Sequence, residues 1–266
     1  MKLFFRHLGS GEPLIILHGL YGSSDNWHSI GQELSAEYSV YLVDQRNHGN
    51  SPHSSDHNYS VMSDDLRDFM AEQNLDSALI MGHSMGGRTT LQFGLNHPDK
   101  VRKMIIVDIS PLGNEFRQNA PEIVVHNRII GALLQIDPDL ITSRNEADKQ
   151  LKQSITIPSI RQFLLKNLKR TPEGKFRWAF NLKTLSEQLP DIFTGIIREN
   201  EINPESIPQF PLLFIKGALS GYIRPEDEAS IRQYFPWAEI KVIPEAGHWV
   251  HAEQPAAFLQ AVREFL

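Results

Sequence analysis

Short apolar runs alternate with amphipathic stretches along the first part of the chain. Leu14–Leu17, Ala78–Met81 and Met104–Val107 are continuous apolar runs, which are typical of strands buried on both faces of a sheet. The predicted strands are 2–6 (an edge strand), 14–17, 39–43, 78–81 and 104–107, and the predicted helices begin near Asn26, near Val61 and after Ser84. Strands that alternate with helices over short connections predict an α/β protein with a mostly parallel sheet flanked by helices.

The alternation stops after Ser110-Pro111 and resumes after Pro211. Between about 112 and 206 the apolar positions follow helical spacing, as in 123–133 and 160–168, and no strand is predicted. Strands at 212–215 and 240–243 and helices at 227–234 and 254–266 follow. We therefore predict a core formed by 1–112 and 207–266, with 113–206 inserted as a helical cap over the strand ends, where ligands bind in such sheets.

The segment Gly82-His83-Ser84-Met85-Gly86 joins the apolar run at 78–81 to the helical pattern that follows. A Gly-x-Ser-x-Gly turn between a strand and a helix is the context of a nucleophile elbow, which holds its serine in a strained backbone conformation. Glycines two residues either side leave room for that turn, and the serine oxygen lies at a helix N-terminus. Ser84 is therefore the predicted nucleophile.

Composition narrows the function classes. The chain has 266 residues, 41% of them hydrophobic and 22% charged, which is ordinary for a soluble globular protein. Its formal net charge of −6 disfavours nucleic-acid binding, and it has no cysteine, which excludes disulfides and a thiol nucleophile. No apolar run approaches membrane-spanning length and the first residues do not form a signal peptide, so we expect a cytoplasmic protein without membrane insertion.

Ser84 needs a base, because a neutral alcohol is a weak nucleophile. Among the 11 histidines, His248 lies outside the elbow, in a Gly-His turn just after the last predicted strand, in Gly247-His248-Trp249. That loop leaves the same sheet edge as the elbow, and the order Ser, acid, His suits a hydrolase of this architecture. His83, inside the elbow, is expected to pack rather than react.

The acid that orients His248 has more than one candidate. In many hydrolases of this kind it follows the strand that corresponds to 212–215, but that position holds Ser220, which cannot stabilise an imidazolium as a carboxylate does. Glu226, Asp227 and Glu228 lie further on, in what reads as the first turn of a helix, where acidic residues are normal. We predict Asp108, which ends the apolar run at 104–107 beside the elbow strand; its alternative role is a turn cap.

An oxyanion hole is expected from two backbone N–H groups. Met85 follows the nucleophile and supplies one of them, and Leu20 supplies the other from the loop His18-Gly19-Leu20-Tyr21-Gly22. His18 is expected to brace this loop and not to act as a base. No metal site is predicted.

Taken together, these motifs resemble those of the α/β-hydrolase superfamily. They are His18-Gly19-x-x-Gly22 with Trp27, Asp44-x-Arg46-x-His48-Gly49-x-Ser51, Gly82-His83-Ser84-Met85-Gly86-Gly87 and Gly247-His248-Trp249. Within it, Asp44–Gly49 and Val107–Pro111 are similar to the YbfF-type bacterial esterases and their mitochondrial relatives. In that subgroup the triad acid follows the same strand as Asp108, and the position of Ser220 is not acidic.

The resemblance implies a serine carboxylesterase that hydrolyses small-molecule acyl esters of any acyl length, extending to acyl-CoA thioesters, without metal or organic cofactor. It implies loop-tying roles for Arg46 and Asn47 and a structural role for Glu253. Met85 and Trp249 are expected to wall the acyl pocket. The basic residues Arg161, Lys166, Lys169 and Arg170 are expected to form a solvated helical face.

Other readings stay open at this point. The same triad can serve a lyase or a carbon–carbon hydrolase, and some proteins of this fold bind ligands without catalysis. The physiological substrate, the acyl length and the oligomeric state are not predicted.

Overall fold

The computed structural model describes residues 1–113, 121–197 and 203–266. The strands are β1 (Phe5–Leu8), β2 (Glu12–Leu17), β3 (Tyr38–Val43), β4 (Ala78–His83), β5 (Val101–Val107), β6 (Leu168–Arg170), β7 (Phe176–Trp178), β8 (Leu212–Gly217) and β9 (Glu239–Ile243). The helices are α1 (His28–Leu34), α2 (Tyr59–Glu72), α3 (Met85–Asn96), α4 (Pro121–Leu134), α5 (Arg144–Leu151), α6 (Pro158–Leu165), α7 (Leu182–Glu187), α8 (Leu189–Phe193), α9 (Pro225–Tyr234), α10 (Val250–Glu253) and α11 (Pro255–Phe265).

One sheet organises these elements, with the strand order β1-β3-β2-β4-β5-β8-β9. β1 pairs antiparallel with β3, and the other pairings in this sheet are parallel. The carboxyl ends of the parallel strands therefore share one edge, where the loops after β2, β4, β5 and β9 meet. Those loops carry the predicted oxyanion donor, nucleophile, acid and base.

Helices cover both faces of the sheet through two apolar clusters. α1 and α11 pack on one face through residues such as Leu34 and Phe258, and α2 and α3 pack on the other through Phe69 and Phe93. The predicted mostly parallel sheet with flanking helices is confirmed. The predicted edge strand at 2–6 is displaced, because β1 runs over Phe5–Leu8, where it pairs with β3. α10 was not predicted.

Residues 121–197, which we call the insertion, lie between β5 and β8 in the chain. They hold α4 to α8 and an antiparallel hairpin of β6 and β7. The expectation that this part of the chain has no strand is therefore wrong, and Leu168 lies in β6 rather than on a helical stripe. The hairpin strands are too short to show a period of two, and Gly174 (φ +85°) supplies the left-handed turn between them. The predicted limits of the cap at 113 and 206 stay predictions.

The chain just before the insertion and the end of the insertion meet at the buried guanidinium of Arg88 on α3. Arg88 donates to the Ser110 and Leu112 carbonyls on one side and to the Ile192 and Thr194 carbonyls on the other. The Pro111 carbonyl also accepts hydrogen bonds from two backbone N–H groups, at 196 and 197. One side chain of α3 thus joins the backbone before the insertion to the backbone at its end.

The basic residues of the insertion do not share a helical face, so that expectation is wrong. Arg161 is buried, pairs with Asp148 at 2.8 Å and donates to two backbone carbonyls. Lys169 lies in β6 and pairs with Asp25. Arg170 lies over the ring of Phe176. Arg161 therefore holds two parts of the insertion together.

Candidate active site

Ser84 lies at the end of β4 in a left-handed conformation, with φ 53° and ψ −119°. The turn requires glycine at position 82, because a Cβ there would lie only 2.2 Å from the Gly86 carbonyl oxygen. A Cβ on Gly86 would lie 2.5 Å from the carbonyl oxygen of Leu17. The Ser84 N–H donates to the Val107 carbonyl at 2.9 Å, which ties the strained turn to β5.

Asp108 and His248 are brought together across the sheet edge. His248 Nδ1 lies 2.8 Å from Asp108 Oδ2, and Asp108 is fully buried while the His248 side chain is 19% exposed. Asp108 Oδ1 accepts the Gly217 N–H at 3.0 Å, so both carboxylate oxygens are engaged. With Nδ1 facing a carboxylate, Nε2 is the nitrogen that can accept a proton.

The other candidates for the orienting acid lie elsewhere or play another part. Ser220 donates its hydroxyl to Asp108 Oδ2 and so adds a donor to the acid. The Asp227 carboxylate accepts hydrogen bonds from the backbone N–H and the guanidinium of Arg224, as a first-turn acid of α9. β5 and β8 are neighbours in the sheet, which is why Ser220 meets Asp108.

Two rings enclose His248. Tyr222 stacks on the imidazole, with centroids 3.7 Å apart and planes at 15°, and His83 lies on another side at 4.6 Å. His83 Nε2 donates to the His248 carbonyl at 2.9 Å, which agrees with the expected packing role. Glu253 accepts the N–H groups of Gly247 and Trp249 and so shapes the loop that carries the imidazole. Sequence reasoning did not find Tyr222, since no pattern marks a stacking partner.

The loop 18–22 approaches the nucleophile closely: a Cβ on Gly19 would lie 3.1 Å from the Ser84 Cβ. Within the described residues, the backbone N–H groups of Leu20 and Met85 donate to no other group of the chain. One of these unpaired N–H groups follows Ser84 in the chain and the other belongs to the loop that approaches it, and unpaired backbone N–H groups are the kind of donor that an oxyanion needs.

Three side chains hold the loop 18–22 in place. His48 Nε2 accepts the Tyr21 N–H at 3.2 Å, and His18 donates from Nδ1 to the Gly19 carbonyl. From the insertion, buried Asn167 donates to the Tyr21 carbonyl at 2.7 Å. Tyr21 itself has φ +60°, an uncommon value that these contacts maintain.

Arg46 and Asn47, in the neighbouring loop, tie loops together as expected. Arg46 forms a buried bidentate pair with Asp65 at 2.5 and 2.9 Å. Asn47 accepts hydrogen bonds from the Ser54 N–H and from the side chain of Asn181 in the insertion.

Two cavities meet at Ser84. The larger, of about 640 Å³, is lined among the described residues by His248, Trp249 and Phe163 and by other mostly apolar side chains of the core and the insertion. The smaller, of about 30 Å³, is lined by Met85 and Phe193 but not by His248. Met85 lines the smaller cavity and Trp249 lines the larger one, and the expectation that both wall the acyl pocket stays a prediction.

Burial keeps the other histidines near the site neutral. It lowers the pKa of His126 and of His251 to about 3, with the neighbouring His248 as a second cause for each. Burial likewise places the pKa of His83 well below its usual range. In the described residues, no group of three or more His, Asp and Glu side chains is placed to hold a metal.

These buried histidines should make the protein sensitive to acid. In the unfolded chain His251 binds a proton below about pH 6.5, whereas in the folded chain it does so only below about pH 3. Between these two values, each unit by which the pH is lowered therefore reduces the free energy of unfolding by about 1 kcal/mol through this group. His251 stacks on Trp27 at 4.0 Å, and its buried Nδ1 has no partner in the described residues. When the pH is lowered from 7.5 to 5.5, we expect the free energy of unfolding, measured by urea denaturation, to fall by about 1 kcal/mol less in His251→Phe than in wild type.

His28→Phe, at an exposed position, is the control and should leave the acid sensitivity unchanged. An equal acid loss in wild type and His251→Phe would contradict a neutral buried His251.

Comparison with known proteins agrees with this architecture. The family model described as "alpha/beta hydrolase fold" matches residues 12–255. The chain belongs to the α/β-hydrolase family. The predicted fold and the predicted resemblance are thereby confirmed.

Several α/β-hydrolases are similar to this one over most of their length. The mouse (Mus musculus) protein named sn-1-specific diacylglycerol lipase ABHD11 is 38% identical, over 95% of this chain and 80% of the relative. Esterase YbfF of Escherichia coli is 33% identical, over 97% of this chain and 94% of the relative. A solved structure of a "Marine microorganism esterase" is 47% identical and superposes with a TM-score of 0.94, covering 100% of this chain and 99% of the other.

As for membranes, none of the helices that the structure describes in this α/β-hydrolase combines the length and the apolar character needed to cross a bilayer.

Proposed function

We propose that this α/β-hydrolase is a serine carboxylesterase with Ser84 as nucleophile, His248 as base and Asp108 as the orienting acid. The observation that carries the proposal is the hydrogen bond from His248 to buried Asp108, on a cavity that also contains the elbow serine. The relatives named as esterases and lipases support ester hydrolysis as the reaction class.

The reaction proceeds through an acyl-enzyme. Ser84 Oγ attacks the ester carbonyl carbon while its proton passes to His248 Nε2, and the carbonyl oxygen becomes an oxyanion facing the Leu20 and Met85 N–H groups. The bond from carbon to the alcohol oxygen then breaks, and His248 returns the proton to that oxygen. Water, activated by His248, attacks the acyl-enzyme in the same way, and the carboxylic acid leaves.

In this proposal the insertion is a cap that completes the substrate cavity, since Phe163 and Val125 of the insertion line it together with the core. Thioesters are a second substrate group for the same triad, because the thiolate leaves by the same route. The predicted cytoplasmic location stays a prediction, with which the absence of cysteine is compatible.

Intact mass after incubation with a fluorophosphonate tests the proposal, on wild type and on Ser84→Ala. We expect one phosphonyl adduct on the wild type and none on the variant, because only an activated serine attacks phosphorus at neutral pH. Turnover of a chromogenic short-chain ester should follow the same pattern. A folded wild type that forms no adduct and turns over no ester would favour a ligand-binding protein, and an adduct without ester turnover would favour a lyase or a carbon–carbon hydrolase.

A further inference from the structure

The two cavities at Ser84 differ in their relation to the base. His248 and Trp249 line the larger cavity, whereas the smaller one is lined by Met85 and Arg88 and lacks His248. Leu20 lines both. Leu20 and Ser84 therefore lie at the junction of the two cavities, with Met85 on the side of the small cavity and the imidazole of His248 on the side of the large one.

The chemistry of the tetrahedral intermediate assigns the two halves of an ester to these cavities. The alcohol oxygen must receive its proton from His248 Nε2, so the alcohol lies on the imidazole side. The oxyanion faces the Leu20 and Met85 N–H groups. The remaining substituent, the acyl chain, is directed away from His248.

Resting on the proposed function, we infer that the small chamber takes the acyl group and the large cavity takes the alcohol. A volume of about 30 Å³ accommodates two to three water-sized groups, since each needs roughly 10–15 Å³ in the same measure. Acetyl, propionyl and butyryl groups fit this limit. The cavity of about 640 Å³ accommodates a large apolar alcohol. The substrate class is thus an ester of a short acid with a bulky apolar alcohol.

The charged groups of the small chamber favour an uncharged acyl group. The guanidinium of Arg88 already donates to four backbone carbonyls, and the Asp227 carboxylate is bound to Arg224. Glu122 also lines the chamber, and its carboxylate would repel an acid at the end of the acyl chain. A dicarboxylic half-ester is accordingly a poor substrate.

Isomeric esters test this assignment, because they have the same formula and nearly the same hydrophobicity. Hexyl acetate places its chain on the alcohol, and methyl heptanoate places it on the acid. We expect kcat/KM to be higher for hexyl acetate than for methyl heptanoate by about tenfold or more, because the small chamber is too small for the heptanoyl chain. Equal values, or a preference for methyl heptanoate, would overturn the inference.

Two matched variants locate the effect. Phe193→Ala enlarges the small chamber and should raise kcat/KM for methyl heptanoate relative to hexyl acetate by about fivefold or more. Phe163→Ala, in the large cavity beside Trp249, should lower kcat/KM for hexyl acetate relative to ethyl acetate and leave the ratio of ethyl acetate to ethyl hexanoate unchanged. Phe193→Leu repeats the test if Phe193→Ala does not fold.

The outcomes separate the two proposals. If wild type hydrolyses no ester and forms no fluorophosphonate adduct, the proposed function fails. If wild type hydrolyses esters but prefers the long acyl chain, or if Phe163→Ala rather than Phe193→Ala relaxes the acyl preference, only the assignment of the cavities fails.

Discussion

Asp108→Asn should lower kcat for ester hydrolysis by about 10⁴, the scale of the same change in a serine protease. The carboxylate would no longer accept the His248 Nδ1–H, on which the tautomer of the imidazole depends. Steady-state kinetics with a chromogenic short-chain ester measures the effect.

The surroundings of Asp108 fix which way the new amide would point. Oδ1 accepts the Gly217 N–H at 3.0 Å, so the amide oxygen would keep that place. The amide nitrogen would then face His248 Nδ1 and donate to it, which moves the imidazole proton to Nε2. An imidazole with Nε2–H cannot accept the proton of Ser84, so the attack of Ser84 on the ester carbonyl carbon becomes slow.

Asp227→Asn is the matched control, because Asp227 is also a buried acid near the site but is bound to Arg224. It should stay within about tenfold of wild type unless α9 is disturbed, which thermal unfolding would reveal. A large loss in Asp227→Asn together with an active Asp108→Asn would show that the orienting acid is misassigned.

Asn167→Leu should lower kcat by about tenfold to a hundredfold and leave KM nearly unchanged. Asn167 donates to the Tyr21 carbonyl from the insertion, and Tyr21 follows the proposed oxyanion donor Leu20. Loss of this bond leaves a buried carbonyl unpaired and frees the loop 18–22 to shift its N–H away from the oxyanion. The full removal of one such donor costs about 10² to 10³, so a displaced donor should cost less.

Thr184→Val provides the comparison. Thr184 is a buried residue of the insertion whose hydroxyl donates to the Ser54 carbonyl, so this variant also removes one hydrogen bond from the insertion to the core. It should lose similar stability in thermal unfolding but keep kcat. Equal kcat in both variants would mean that the insertion does not position the oxyanion loop.

Much of the core follows from sequence patterns. Apolar runs such as 78–81 and 104–107 mark strands because the central strands of a parallel sheet are buried on both faces. Asp108 could be singled out because it ends such a run, and parallel strands end at one edge. The elbow could be predicted from the glycines around Ser84 alone, because larger residues at those positions would clash in the turn.

Contacts between distant parts of the chain could not be predicted in this way. Ser220 meets Asp108 because β8 lies next to β5, and the sequence does not encode that strand order locally. The stacking of Tyr222 on His248 depends on the same neighbourhood. The hairpin strands β6 and β7 have three residues each, which are too few to show an alternating pattern. The two cavities at Ser84 depend on how side chains from distant parts of the chain pack together.

Arg88 sets a condition for recombining this protein with its relatives. Its guanidinium lies on the elbow helix, yet its four acceptors belong to the backbone just before and at the end of the insertion. A chimera spliced within 110–194 would combine carbonyls from two parents around one buried cation, and any mismatch would be transmitted to α3, the helix that follows Ser84. Splice points outside 110–197 keep both groups of carbonyls from one parent, so specificity could be exchanged as a unit without touching the nucleophile.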